Sequence, residues 1–519
     1  MSMPLHQVAL HLHPDDEVVI ARTTLESGTV LLLDGETGSA TTLVVRQRVP
    51  AGHKLAVRHI APAAAVHRYG QVIGFATQEI LPGDHVHIHN LDSRKFPRPL
   101  SKAFPQPVQP VAVEQRSTFL GYPRPWGGVG TRNYLAVIPS VNCAADVAVA
   151  IAHYFTPERI AAWPHIDGVI PVVHQSGCTL RIGSPNYRLL QRTLAGVIRH
   201  PNVGGALLVG LGCECNQIAA LLENYHLMQD PDAHARIRSV VIQESGGSRR
   251  AVQQGIALVE EILPYVDATQ RAPQPLSELK IALQCGGSDS WSGVTANPLI
   301  GLVADEVVRQ GGTVVLSETP EIYGAEHLLA GRAVSVEVRE RLLAKVRWWA
   351  KHARQFGMEL DNNPSPGNRA GGITTIYEKS LGAVAKGGNT PLMAVYEYAE
   401  PITTRGLVFM DTPGYDPVAI TGQIAGGCNV VLFSTGRGSG LGSRLAPVIK
   451  VCSNSATYRA MPGDIDFNAG VILEGTEMAE AAHDLLALVI RIASGELSQS
   501  ERQGFGETSF IPWSLGGTL

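Results

Sequence analysis

Four times along this chain a cysteine follows a short apolar run. Cys143 comes after LAVIPSVN, Cys178 after GVIPVVHQSG, Cys213 after GALLVGLG and Cys285 after KIALQ. Seven cysteines in 519 residues are too few and too scattered for a disulfide framework, so the thiols are free to bind metal. Thiolates are soft donors that select iron, iron–sulfur clusters or zinc over magnesium. Ligands of open α/β sheets bind beyond the carboxyl ends of the strands. If these runs are parallel strands, Cys143, Cys178 and Cys213 face one crevice and Cys285 closes the site from a second block. Three thiolates with an open fourth position suit iron acting as a Lewis acid, mononuclear or clustered. The competing reading is packing, since a buried free cysteine is usually a small hydrophobe. Cys215 could replace Cys213, while Cys428 and Cys452 read as packing residues.

Other residues of chemical interest surround them. His174 and Glu214 lie beside the thiols in sequence and are candidate acid/base groups. GDHVHIHNL sets His85, His87 and His89 two apart, so that on a strand they share one face. Such a set could grip a metal or supply a general base, with His87, His89 and His174 as the candidates. LQCGGSDSWSGVTANP offers Gly286, Gly287, Ser288, Asp289 and Asn297 to an anion or a polyol. Arg132, Asn368 and Arg437 are further substrate-binding candidates, the arginines because a guanidinium forks onto a carboxylate. SETPEIYGAEH carries Glu318, Glu321, Glu326 and His327 after a strand, a possible acid/base group or simply helix-start carboxylates. The Gly436-x-Gly438-x-Gly440-x-Gly442 spacing is not a dinucleotide fingerprint, and G-x-S-x-G, H-E-x-x-H and Walker A motifs are missing from the sequence.

The elements that must position these groups fall into blocks. Residues 1–92 read as short strands (VVIAR, TVLLLD, HKLAVRHI, GQVIGFA) separated by glycine turns, a small β-rich module. Residues 93–117 are proline-rich and read as a stiff linker. From 118 to 272, buried-type apolar runs alternate with helical segments, and a second such block fills 273–519, so both predict open, parallel α/β sheets. The size calls for more than one core. A net charge of −4 has neither the basic stripe nucleic acid demands nor a polybasic membrane patch. The N-terminal sequence lacks the features of a signal peptide, no apolar run approaches a bilayer span, and a reducing cytoplasm is the expected home.

Taken together, the motifs resemble the altronate/galactarate dehydratase family of sugar-acid hydro-lyases. GHK, RYG and GDHVHIHN are similar to the SAF (antifreeze-like, β-clip-like) domain that begins these enzymes. GGVGTRNYL, GLGCE, LQCGGSDSWSGVTANP, GGTVVLSETPEIYGAEHLL, NPSPGNRAGGITTIYEKSLGA and LFSTGRGSGLG carry the likeness through the main body. The histidine triplet and Cys428 look closer to the altronate branch. One departure is Trp126-Gly127, where the family often has an acidic residue. The resemblance implies an SAF-type module followed by two Rossmann-like blocks, and an iron requirement. It also implies dehydration of a sugar acid to a 2-keto-3-deoxy acid, with galactarate dehydration or a sulfolactate-type C–S lyase as alternatives. A non-catalytic sugar-acid binding protein is the rival of a different class. The expected partner is a small sugar acid, with no nucleic acid or membrane, and the oligomeric state, including a homo-oligomer, stays open. The His-rich module is expected to act as a lid over the cleft.

Overall fold

The computed structural model describes residues 2–33, 41–100 and 103–518. Asp34 of the TVLLLD run and Ser101–Lys102 of the proposed linker lie outside them. The chain is α/β with a β-rich N-terminal region, as the sequence predicts. That region is built from β1 (Ser2–Pro4), β2 (Ala9–Leu10), β3 (Val18–Ala21), β4 (Val30–Leu33), β5 (Thr41–Val44), β6 (Lys54–Ala56), β7 (Ala65–Arg68), β8 (Gln71–Ala76), β9 (His85–Val86) and β10 (Leu91–Asp92). They form small sheets in the orders β1-β4-β5, β2-β3-β6-β9 and β10-β8-β7.

The histidine triplet does not lie on one strand. β9 stops at Val86, and the Asn90 side chain takes the His87 N–H and closes a turn.

Two antiparallel pairings, β11 (Thr118–Pro123) with β12 (Val129–Gly130) and with β17 (Ala272–Pro275), frame the second region. Inside it β13 (Tyr134–Pro139), β14 (Gly168–Pro171), β15 (Val203–Gly210) and β16 (Ile237–Val241) make a parallel sheet in the order β14-β13-β15-β16. Helix α1 (Ala145–Tyr154) and helix α3 (Ser248–Asp267) cover one face of it. Helix α2 (Pro185–Arg199) starts cleanly because Ser184 caps it and Pro185 sits in its first turn. Its apolar stripe faces the third region.

There β18 (Lys280–Cys285), β19 (Thr313–Leu316), β20 (Leu392–Tyr396), β21 (Gly406–Met410), β22 (Val430–Thr435), β23 (Val448–Cys452) and β24 (Phe467–Asn468) form an all-parallel sheet in the order β20-β21-β19-β18-β22-β23-β24. The central strands are buried along nearly their whole length, as apolar, β-branched runs covered on both faces must be. Helices α4 (Ala296–Arg309), α5 (Val336–Gln355), α7 (Ile376–Ala385) and α9 (Met478–Ala493) pack on one face, with the short α6 (Pro366–Ala370) at the edge. Helix α8 (Asp416–Ala425) packs on the other, against α2, so a single apolar layer binds the second region to the third.

The strand order reverses between β18 and β22. That switch point, at the carboxyl edge, is where such sheets leave a crevice. No helix among the described residues is long and apolar enough to cross a membrane.

Candidate functional site

The loops leaving β18 and β22 are laced together: Gly286 N–H donates to Ser434 O, and the Gly436 and Arg437 N–H groups both donate to Gly287 O. Their glycines make room for carboxylates. A methyl on Gly286 would lie 2.1 Å from Asp416 Oδ2, and one on Gly436 would lie 2.2 Å from Asp289 Cγ. Asp289 is buried and accepts hydrogen bonds from Ser292 Oγ, Ser453 Oγ and Asn454 Nδ2 at 2.7–3.0 Å. Beside it opens a cleft of about 830 Å³ whose lining includes Arg22, Asp289, Trp291, Arg437, Asn454 and Thr457. Arg22 donates to the Leu473 carbonyl. Arg437 is exposed, and no carboxylate or carbonyl among the described residues takes up its guanidinium.

Across the Gly286–Gly287 dipeptide from Arg437 lies an ionic group that the sequence reading only half anticipated. Cys285, Glu318 and Glu321 place their ligand atoms within 4.8 Å of one another. Lys379 Nζ sits 2.5 Å from Glu321 and 3.1 Å from Asn363 Oδ1, while Lys386 Nζ is 3.5 Å from Glu318. Burial pushes the Cys285 thiol up to about 12. Burial first, and then the Glu321 carboxylate, push Asp416 up to about 7, against the pull of Lys379 and Lys386. Glu318 is raised by the same two causes, burial ahead of Glu321. It also holds a left-handed backbone at φ +65°, a strained conformation of the kind that gathers at functional sites. Asp416 and the two lysines escaped the sequence reading. The available signal was a pair of lysines, together with Glu378, on the otherwise apolar helix IYEKSLGAVAK.

The wall of the cleft nearest the N-terminal region is built by residues 51–54 against 370–372. His53 Nε2 bonds Ala370 O at 3.2 Å and His53 Nδ1 bonds His85 Nε2 at 3.0 Å, so the protons run one way along the pair and leave His85 Nδ1 as the open acceptor. His87 Nε2 bonds Arg369 O at 2.9 Å and its ring stacks on His53. Burial above all lowers His85 to about 3 and His87 to about 4, so both stay neutral near pH 7. His89 is exposed, with its ring centroid 5.4 Å from that of His85.

Behind this wall the region is bolted down. Lys54 Nζ donates to both Glu378 oxygens at 2.8 and 2.9 Å and to Gly372 O, while Arg68 donates to Glu378 and Ser290. All three side chains are about 1 % exposed or less. The expectation of a hinged lid is therefore corrected: opening would strip a buried carboxylate of two cations. The linker is likewise fastened, with Val111 N–H on Arg309 O and Arg98 stacked over Phe96 and Tyr377.

The predicted thiols divide into two groups. Cys143, Cys178 and Cys213 are exposed and Cys215 is half-buried, on the loops after β13, β14 and β15. Partial loss of solvent, followed by Cys143, Cys213 and Cys215, raises the Cys178 thiol. Cys285 does not join them. It is buried among Lys386, Glu321 and Glu318, because its strand belongs to the other sheet.

Two proposed acid/base residues turn out to hold the thiol loops. His174 Nε2 bonds Pro139 O, and its Nδ1 receives the Ser176 N–H, which leaves no free lone pair. Glu214 accepts from Ser140 Oγ at 2.6 Å and from the N–H groups of Leu211 and Gly212.

Three substrate-binding candidates are also reassigned. Arg132 is 1 % exposed and spends its guanidinium on Glu501 and on the carbonyls of Thr131, Ile492 and Glu496, at the opposite edge of the sheet. Asn297 joins Gly382 O to Ser434 Oγ. Asn368 closes the Ser365 capping box and holds Ser288 O. Each is consumed by the scaffold. Asp289 and Arg437, by contrast, line the cleft. Ser288 is buried beside Asp289, next to Gly286 and Gly287.

Comparison with known proteins agrees with this layout along the whole chain. Residues 7–94 match the altronate/galactarate dehydratase SAF domain, 121–267 the D-galactarate dehydratase/altronate hydrolase second domain, and 276–518 the D-galactarate/altronate dehydratase C-terminal domain. The altronate dehydratase of Bacillus subtilis (strain 168) is 36% identical over 503 residues, 97% of this chain and 98% of that one. The altronate dehydratase of Escherichia coli (strain K12) is 36% identical over 505 residues, with the same coverage. The galactarate dehydratase (L-threo-forming) of Escherichia coli (strain K12) is 35% identical over 457 residues, 87% of each chain. Likeness of this extent, over all three regions and through the loops that build the cleft, means that the chain belongs to the altronate/galactarate dehydratase family of carbon–oxygen lyases.

Proposed function

We propose that this protein dehydrates a sugar acid with a single carboxylate, an aldonate of the altronate type, to a 2-keto-3-deoxy acid in a reducing compartment, with iron as cofactor. The observation that carries the aldonate reading is Arg437, the one cleft arginine among the described residues without a protein acceptor. A single free guanidinium suits one anionic end, whereas an aldarate or a sulfonated hydroxy acid calls for more positive charge.

The chemistry asks for removal of the proton on C2, next to an ionised carboxylate, and departure of hydroxide from C3. Arg437 would hold the carboxylate. Asp289, Asn454 and Thr457 would take hydroxyls and fix which face of the chain meets the acid/base group. A base works best with a pKa near the operating pH. Asp416, at about 7, meets that condition, whereas His85 at about 3 and His87 at about 4 are weaker bases. Asp416 therefore takes the C2 proton, and the Lys379–Glu321 pair beside it supplies the proton that leaves with the hydroxyl as water. The enol released then tautomerises to the keto acid.

For iron, the donor chemistry favours the thiol loops. Cys285, Glu318 and Glu321 have the spacing of a metal site, but Lys379 and Lys386 already occupy both carboxylates and the thiol stays protonated. Cys143, Cys178 and Cys213, with Cys215, make no ion pair among the described residues, and partial desolvation together with the three neighbouring sulfurs raises the Cys178 thiol, a cost that a bound cation removes. Iron held there supplies Lewis acidity at any position that the sulfurs leave open.

The test is a panel of five- and six-carbon aldonates and aldarates, assayed anaerobically with ferrous iron and scored for keto acid and for sulfite from sulfolactate. Activity on aldonates that disappears on chelation and returns with iron is expected. Sulfite release, or a preference for aldarates, would overturn the substrate reading. Full activity after exhaustive chelation would overturn the iron.

A further inference from the structure

The second region's thiols form a built site whose donor set and spacing say more than "iron". Three β–α loops supply the sulfurs, and they are strapped into one unit by polar bonds. Cys215 N–H reaches Cys178 O, Asn216 N–H reaches Gly177 O, and Asn142 N–H reaches Ser176 O. Asn142 Nδ2 holds His174 O, and Asn216 Nδ2 holds Ser140 O. Gly177 carries φ +108° and a methyl on it would lie 2.5 Å from Ser140 O, so the Cys178 loop is pressed onto the Cys143 loop. The His174 imidazole, with both ring nitrogens taken, and the Glu214 carboxylate, which accepts from Ser140, Leu211 and Gly212, fix the Cys178 and Cys213 loops. Such polar bracing under three exposed thiols, with the half-buried Cys215 beside them, is the arrangement of a ligand shell with its outer support.

The exposed donors are sulfur, because His174 has both nitrogens taken and Glu214 is buried and turned onto Ser140 and the N–H groups of Leu211 and Gly212. A lone tetrahedral ion with metal–sulfur bonds of about 2.3 Å needs its sulfurs roughly 3.8 Å apart. Among the described residues the one set of three ligand atoms within 4.8 Å of one another is Cys285 with Glu318 and Glu321. As a set, the loop thiols therefore stand wider than a single ion requires. A wider sulfur cradle drawn from separate loops fits a polynuclear centre.

We propose that Cys143, Cys178 and Cys213, with Cys215 beside them, ligate an iron–sulfur cluster, and that His174 and Glu214 are its positioning residues. The inference deepens the iron reading above and depends on it. On binding, the thiols give their protons to solvent and the inorganic sulfide comes with the iron.

The test uses the full chain, purified anaerobically and reconstituted with ferric iron, sulfide and a dithiol. Expected are about two to four irons per chain with an equal amount of acid-labile sulfide, and visible charge-transfer absorption. Cys178→Ser and Cys213→Ser should lose the sulfide and the colour, while Cys452→Ser, at a buried cysteine of the third region, keeps both. Glu214→Gln and His174→Gln should keep the colour but release iron to a chelator about 10- to 100-fold faster. One metal per chain without sulfide, or a cluster that survives Cys178→Ser, would overturn the proposal. Keto-acid formation is scored separately. An active chain without sulfide removes the cluster and leaves the dehydratase; a sulfide-bearing chain inactive on every sugar acid does the reverse.

Discussion

Replacing Glu378 by glutamine tests whether the N-terminal region is a fixed wall of the cleft. The side chain is isosteric, so only charge is lost. Burial alone would raise this carboxyl, but Lys54 and Arg68 outweigh it and hold it at about 2 against an ordinary 4.5. At about 1.4 kcal/mol per pKa unit, folding favours the ionised over the protonated form by about 3 kcal/mol. Removing one partner from a buried pair typically costs about 3–5 kcal/mol, because the remaining charge stays buried and unpaired. Here two cations are orphaned, and the Thr374 N–H and hydroxyl lose a carboxylate acceptor at 2.7 and 2.6 Å. Glu378→Gln should therefore lose about 3–5 kcal/mol in urea unfolding, cleave faster in the 93–117 connection under limited proteolysis, and lose keto-acid formation with the cleft wall. The linkage has a definite sign. A carboxyl depressed in the folded state adds stability that is present above pH 4.5 and lost as pH falls toward 2, so the variant should show a flatter acid limb than the parent. Adding Lys54→Met should recover part of the loss by removing one orphaned charge. A Glu378→Gln protein with parental stability and a protected connection would refute the clamp and restore the hinged lid.

Asp416→Asn should reduce kcat about 10²- to 10⁴-fold and erase the limb of the pH–rate profile near pH 7, with KM little changed; a retained limb would assign the proton transfer elsewhere. Gly436→Ala should disable the cleft without unfolding the chain, since its methyl would meet Asp289 Cγ at 2.2 Å; an active variant would mean that Asp289 does not organise the site. His174 and His200 are fully buried and lowered by burial to about 4 from 6.5, so the unfolded chain binds their protons first as pH drops. Stability should fall between pH 6.5 and 4 by up to about 3 kcal/mol for each, and His200→Gln should flatten that fall in urea titrations at pH 7 and pH 5.

The architecture was legible because parallel strands advertise themselves. Runs such as GALLVGLG are apolar on both faces, and only a sheet covered on both sides tolerates that. The crevice at the switch point follows from the same logic, and Asp289 and Arg437 lie on the lining of the cleft there. The short N-terminal strands were legible as a class, but GDHVHIHNL was not a single strand: an asparagine three residues beyond His87 captures the backbone and turns it, a local bond that overrides the alternating pattern.

Side-chain roles were harder to read, and the errors share a cause. His174, Glu214, Arg132, Asn297 and Asn368 are chemically able residues in the right loops, and each is spent on backbone groups that would otherwise be buried without partners. A parallel α/β protein that gathers glycine-rich loops at one edge creates many such orphaned carbonyls and N–H groups, so most polar residues near the edge must serve the scaffold. What distinguishes Arg437 and Asp416 is not type or position in sequence. Arg437 has no protein acceptor among the described residues, and Asp416 has been moved to about 7 by burial and by a like charge brought from β19's far loop. Both properties depend on which distant loops meet, and the sequence holds them only through the glycines that let those loops approach. Gly286 is the clearest of these: it sits beside Cys285 in a motif that reads as anion-binding backbone, yet its structural use is to let a carboxylate more than a hundred residues away come within a bond length or two of where its side chain would be.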